Sequence, residues 1–236
     1  GTARTLLMPV GATAVVGGVD WGCALGTDSI PYCWGDRAAS VRPIPIYQKY
    51  VAIAGGYSTL CGLKTDSLAY CGTPQQALQF PVPSSPKFTK VSVGSEHKCG
   101  IGVDSTAYCW GENIQGQLGD STTDPRAEPA PVHGNLKFVE ISAGDNFTCG
   151  IVAGGTVYCW GRNDEGALGR PDSIRTFPLP ITSSITFTQI VASTAHACGL
   201  SVGGKVYCWG GNRFGQLGDG TFTSRYTPAL VVGQQP

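Results

Sequence analysis

Ten cysteines fall into five pairs with one internal spacing: Cys23 and Cys33, Cys61 and Cys71, Cys99 and Cys109, Cys149 and Cys159, and Cys198 and Cys208 each lie ten residues apart. A spacing repeated five times makes each pair a local unit and the chain an array of such units. Zinc sites bring short Cys-X-X-Cys or Cys/His knuckles together. This chain has no such knuckle and only three histidines, so structural zinc does not fit. Ten thiols serve no purpose in a reducing compartment, whereas an oxidising one turns them into five local bridges. The chain is therefore expected to be secreted or displayed at a cell surface. It shows no signal peptide and no apolar run of about 18 residues or more, which reads as a mature or trimmed ectodomain without membrane insertion.

The flanks of the pairs repeat as well. The clearest copies run from Val91 to Asp120, Val139 to Gly169 and Ile190 to Gly220; two worn copies run from Val15 to Asp36 and Val51 to Gly72. First cysteines of successive copies are 38, 38, 50 and 49 residues apart, which divides the chain into repeats at approximately 1–47, 48–87, 88–136, 137–186 and 187–236. A period near 50 with no helical pattern calls for radial or linear stacking of small sheets. Net charge bears on partners: 16 Lys and Arg balance 16 Asp and Glu, so there is no cationic excess to release counterions from a nucleic acid.

Within one copy the strands can be read directly. Val139, Ile141 and Ala143 alternate and meet a turn at Gly144-Asp145. A second strand passes through Cys149 to a turn at Ala153-Gly154-Gly155, and Val157-Tyr158-Cys159-Trp160 returns. If Cys149 sits opposite Cys159 in a non-hydrogen-bonded antiparallel pair, their Cβ atoms reach disulfide distance. Tyr158 and Trp160 then point away from Cys159, so the hairpin offers a disulfide to one neighbour and aromatics to the other. A fourth, outer strand is expected from the proline-containing segments Arg42–Ile46, Glu128–Val132, Phe177–Ile181 and Thr227–Val231, because proline is tolerated at an edge. Leu6–Val10 has the same character. Either terminus could complete a blade and close a ring of five, or the five copies could form an open or partial array.

The run CGLSVGGKVYCWGGNRFGQLGDGTFTSRYTP, from Cys198 to Pro228, resembles the repeat of the regulator of chromosome condensation (RCC1) superfamily, and in particular its disulfide-bearing secreted or receptor-ectodomain branches. The resemblance covers essentially the whole chain. It is weak in the second copy, where Gly72 follows Cys71 in place of tryptophan and the GQLGD segment is absent. It implies an all-β fold, an RCC1-like β-propeller with about 50 residues per blade. Members are commonly seven-bladed, and this chain shows five copies. The best-known family activity, nucleotide exchange on a small GTPase at chromatin, belongs inside the cell, and the cysteines argue against it here.

No catalytic constellation emerges. His97 and His196 recur two residues before a cysteine, where copy four has Phe147, and repeat register favours packing; His133 reads as a surface residue. No GxSxG, HExxH or paired-histidine motif is present, so no catalytic residue, cofactor or metal is expected. Asn113 with Asp120, and Asn212 with Asp219, read as turn architecture in preference to a calcium loop. Tyr and Trp of the YCWG runs are expected between blades. Trp21, Tyr57 and Phe147, near turn ends, are candidates for a binding surface. Arg126, Arg175 and Arg225 share a repeat position; they either pair with aspartates to bind blades together or ring one face toward an acidic ligand. Asn146-Phe147-Thr148 is a glycosylation sequon. These residues point to a non-enzymatic extracellular scaffold that recognises a protein through loops on one face. A lectin with repeated sites at blade junctions is the alternative.

Overall fold

A computed structural model describes residues 10–35, 38–43, 48–74, 78, 81–171 and 173–234. The Leu6–Pro9 and Ile44–Ile46 segments expected at strand edges lie outside the described residues. Among those described there are five antiparallel sheets, each laid down in chain order. Blade one holds β1 (Ala12–Gly17), β2 (Trp21–Gly26), β3 (Pro31–Gly35) and β4 (Ala38–Pro43). Blade two holds β5 (Ala52–Gly55), β6 (Leu60–Leu63) and β7 (Ala69–Gly72). Blade three holds β8 (Phe88–Val93), β9 (His97–Gly102), β10 (Ala107–Gly111) and β11 (Arg126–Pro131). Blade four holds β12 (Phe138–Ala143), β13 (Phe147–Val152), β14 (Val157–Gly161) and β15 (Arg175–Pro180). Blade five holds β16 (Phe187–Ala192), β17 (His196–Ser201), β18 (Val206–Gly210) and β19 (Arg225–Leu230).

The cysteine spacing fixes the hairpin register. Cys149 pairs with Cys159 across β13 and β14, and the other four pairs stand in the same relation. All five disulfides form, with Cα atoms 4.0–4.1 Å apart, the close approach of a non-hydrogen-bonded pair. At the hairpin ends Ser29, Ser67 and Ser105 take a left-handed backbone, and Gly155 does so in blade four. Their carbonyls accept the amides that open the next blade, from Tyr50, Phe88, Phe138 and Phe187.

Period-two alternation then builds the interblade core. Phe147, Cys149, Ile151, Val157 and Cys159 face blade five and pack with Phe187, Ile190, Ala197 and Trp209. On the opposite face, Trp160 and Phe138 pack into blade three with Cys99, Cys109, Leu118 and Val132. The Phe138 ring lies over Gly150, where a Cβ would come within 2.6 Å of it. The Trp160 indole N–H donates to the Gln117 carbonyl and that of Trp209 to the Ala167 carbonyl, each at 2.9 Å, so each tryptophan satisfies its one donor on the preceding blade. In blade two Gly72 leaves this space open, and Leu78 fills it: the side chain is buried, and its carbonyl accepts the Tyr50 hydroxyl at 3.1 Å.

At the inner turns the blades meet backbone to backbone. Tyr57, Ser95 and Asp145 donate their amides to the carbonyls of Gly94, Gly144 and Ser193 on the following blade, at 3.4, 3.3 and 3.0 Å. Gly18, Gly56, Gly94 and Gly144 begin four of these turns. A Cβ on any of them would sit nearer than 3.0 Å to the carbonyl oxygen of the next blade, so only glycine allows the approach. Ser193 holds the fifth such position. Midway along the inner strands, Ser92 and Ser142 accept the amides of Ala143 and Ala192, both at 2.9 Å. Packing runs in sequence, β1 on β5, β5 on β8, β8 on β12 and β12 on β16. Among the described residues, blade one has no comparable contact with blade five.

Candidate binding face

One end of the sheets gathers the inner turns and the long loops that follow β10, β14 and β18. Each long loop begins by donating an amide to its own inner turn: Glu112 to Glu96, Arg162 to Asn146 and Gly211 to Ala195, at 2.8–3.1 Å. A buried asparagine then holds the loop. Asn212 accepts the Leu217 amide at 3.0 Å while its carboxamide nitrogen faces Asp219, the Thr221 carbonyl and the Thr223 carbonyl; Asn113 does the same in blade three. These asparagines are consumed by turn contacts. Among the described residues no group of three or more His, Cys, Asp or Glu could hold a metal.

All six residues singled out for a binding face belong to this end, at the starts of β2, β11, β13, β15 and β19 or, for Tyr57, in the β5–β6 turn. Their exposure divides them. Tyr57 is 54% exposed. Trp21, at 9%, turns its indole N–H inward to the Tyr57 carbonyl at 3.1 Å, and Phe147, at 1%, is core. Neither ring stands out from the surface, because each shares the strand face of the cysteine two residues on and packs on the next blade. Arg126 and Arg225 pair with Asp120 and Asp219, both at 2.9 Å, within their own loops and not between blades. The Asp219 carboxyl is held at about 2 chiefly by the Thr221 hydroxyl, against a weaker opposing effect of burial. Burial raises the Asp120 carboxyl, but bonds from Thr122 and Arg126 outweigh it and keep it below its ordinary value. In the loop that leads to Arg175, Arg170 stands where the other loops have Asp120 and Asp219.

His97 is fully buried at the junction of blades three and four, and burial, aided by the Lys98 charge, pushes it down to about 3. Thr148 donates its hydroxyl to the Gln117 carbonyl at 2.9 Å, so His97 must donate from Nε2 to Thr148 at 2.8 Å, which assigns the neutral Nε2–H tautomer. Phe147 and Ala197 take these two places at the next junction. The histidine is therefore a packing residue.

Two features of this end are not signalled by any motif. Phe214 and Phe222, in the blade-five loop, are 88% and 75% exposed. A cleft of about 210 Å³ opens between blades four and five, floored by Phe147, Ala167 and Ala195 and rimmed by Asn146, Arg162, Asp164, Glu165 and Thr194.

RCC1 repeat models match residues 104–151, 154–200 and 203–235, and a second such model matches 138–167 and 187–216, together more than half of the chain. The chain belongs to the regulator of chromosome condensation (RCC1) repeat family. Its fold is an RCC1-like β-propeller array with a disulfide in every blade. Prp20p from Saccharomyces cerevisiae, described with its binding to Gsp1p and histones, superposes with a TM-score of 0.81 at 17% identity over 94% of this chain. Human WBSCR16 gives 0.81 at 17% identity over 92%. The ectodomain of the Physcomitrella patens receptor kinase CR4 gives 0.64 at 26% identity over 86%. The RCC1 array here spans 64%, 66% and 53% of those chains respectively. No curated protein matches the chain in sequence.

Proposed function

We propose that this RCC1-repeat chain is a non-enzymatic extracellular scaffold that binds a protein partner through the loop-bearing end of its sheets. One observation carries the reading: among the described residues, the three aromatic rings more than half exposed, Tyr57, Phe214 and Phe222, all lie at that end. Exposed rings lose little conformational entropy on binding and make strong interface anchors. They do not recur from blade to blade. Val19, Ser95, Asp145 and Thr194 stand where blade two has Tyr57, and Gln115 and Glu165 where blade five has Phe214. A lectin built on the repeat would repeat its aromatics; a face for one protein need not. Five disulfides suit an oxidising compartment, and the likeness to a receptor-kinase ectodomain supports a surface or secreted setting.

The test is capture from the extracellular fluid of the native source by the wild-type chain and by the Tyr57→Ala/Phe214→Ala/Phe222→Ala variant, beside a glycan array. A protein retained by the wild type and lost by the variant, with a blank array, is expected. Sugar binding without protein retention, or equal retention by the variant, would overturn the reading.

A further inference from the structure

The junction between blades four and five differs from the one before it by two truncations on facing walls. Gln117 fills the earlier junction, fully buried, and Ala167 holds its place in the later one. Asn146 of the blade-four inner turn is answered in blade five by Ala195. The space these two alanines vacate is the cleft of about 210 Å³, below the roughly 300–1,000 Å³ of sites for whole small-molecule ligands and suited to one long side chain.

We propose that this cleft is the anchor site for a basic side chain, arginine or lysine, of the protein partner. The inference rests on the protein-binding reading above and names the chemistry of its contact. The floor of Phe147, Ala167 and Ala195 receives an aliphatic stem. The rim supplies the carboxylates of Asp164 and Glu165 for the charged head. Both already hold arginines, Asp164 with Arg162 and Glu165 with Arg213 at 3.3 Å. Those arginine side chains are 49% and 76% exposed, and exposed pairs contribute little, so a buried guest can replace them as partner. Asp145, beside the rim, adds a further negative charge in the same turn. The Asn146 carboxamide and the Thr194 hydroxyl, both on the rim, bond no other described side chain and can accept from a guanidinium or ammonium.

The probes are the blocked tripeptides Ac-Gly-Arg-Gly-NH2, Ac-Gly-Lys-Gly-NH2 and Ac-Gly-Glu-Gly-NH2 and methyl α-glucopyranoside, each titrated into the isotopically labelled full chain. The basic peptides should produce saturable amide shifts at Asn146, Glu165 and Thr194, and the acidic peptide and the sugar none. Ala167→Gln copies blade three and fills the cleft; it should weaken the basic peptides at least tenfold while the unfolding midpoint stays in place. Glu165→Gln should weaken them without filling anything. Absence of saturation, an equal response to the acidic peptide or the sugar, or undiminished binding by both variants would overturn the proposal. A captured partner held equally by Ala167→Gln would remove the anchor and leave the binding face standing. Saturable basic peptides with no captured protein would do the reverse.

Discussion

Acidification from pH 7 to pH 5 should cost this fold about 2 kcal/mol at one side chain, His97. Its pKa falls from an ordinary 6.5 in the unfolded chain to about 3 in the folded one, because the ring is fully buried against Thr148 and the Lys98 charge adds to the effect. Below pH 6.5 the unfolded state takes up a proton that the folded state refuses. The stabilisation is therefore complete above pH 6.5 and drains away as pH falls toward 3, at about 1.4 kcal/mol per pH unit. The 1.5 units between 6.5 and 5 give about 2 kcal/mol. Carboxylates such as Asp219, held at about 2, release their stabilisation only below the ordinary carboxylate range, so the window above pH 5 belongs to histidine. His196, half-buried and also lowered by burial, acts in the same direction. The control copies the next junction: His97→Phe with Thr148→Ala reproduces the packing of Phe147 against Ala197. Urea unfolding followed by far-ultraviolet circular dichroism and tryptophan fluorescence, at pH 7 and pH 5, should show wild type losing about 2 kcal/mol more than the double variant. Equal losses would refute the assignment of His97 as a buried neutral base, as would a His97 ring signal that titrates between pH 7 and 5.

Two further outcomes test the packing scheme. Gly144→Ala pushes a methyl group into the Ser193 carbonyl and should destabilise by about 1–3 kcal/mol, whereas Ser193→Gly should move the midpoint by less than about 1 kcal/mol; denaturant midpoints compare them. Reduction should lower the melting temperature without abolishing the β-sheet signal, since each bridge closes a loop of about ten residues worth roughly 2–3 kcal/mol, and thiols titratable before reduction would contradict five native bridges.

What could be read in the sequence follows contact distance along the chain. The disulfide pairing, the hairpins and the two-sided alternation all lie within ten or so residues, and Cys149 opposite Cys159 with Trp160 turned away is what that spacing dictates. The burial of Phe147 and Trp21 was available to the same reasoning. A residue two before a cysteine shares its strand face, and that face is covered by the next blade. The role of Leu78 was not available, since it replaces a missing tryptophan from outside the repeat pattern. The cleft at Ala167 emerges only when one junction is laid over another, because its cause is the absence of a side chain. Asp120 and Arg126, six residues apart, pair locally as their spacing allows, and the exchange of aspartate for Arg170 could be read in blade four as a broken copy.

The inner turns carry a consequence for assembly. The four contacts between blades one and five each need glycine at the turn, and blade five offers Ser193 at that position. Val191, well exposed, likewise stands where Ser92 and Ser142 give an acceptor to the following amide. A sheet laid on blade five as blade five lies on blade four would drive its carbonyl into the Ser193 Cβ and find no hydroxyl for its strand. Any sheet that meets this face of blade five, from this chain or another, must do so in a register other than the one that joins blades one to five, because Ser193 and Val191 both oppose that register.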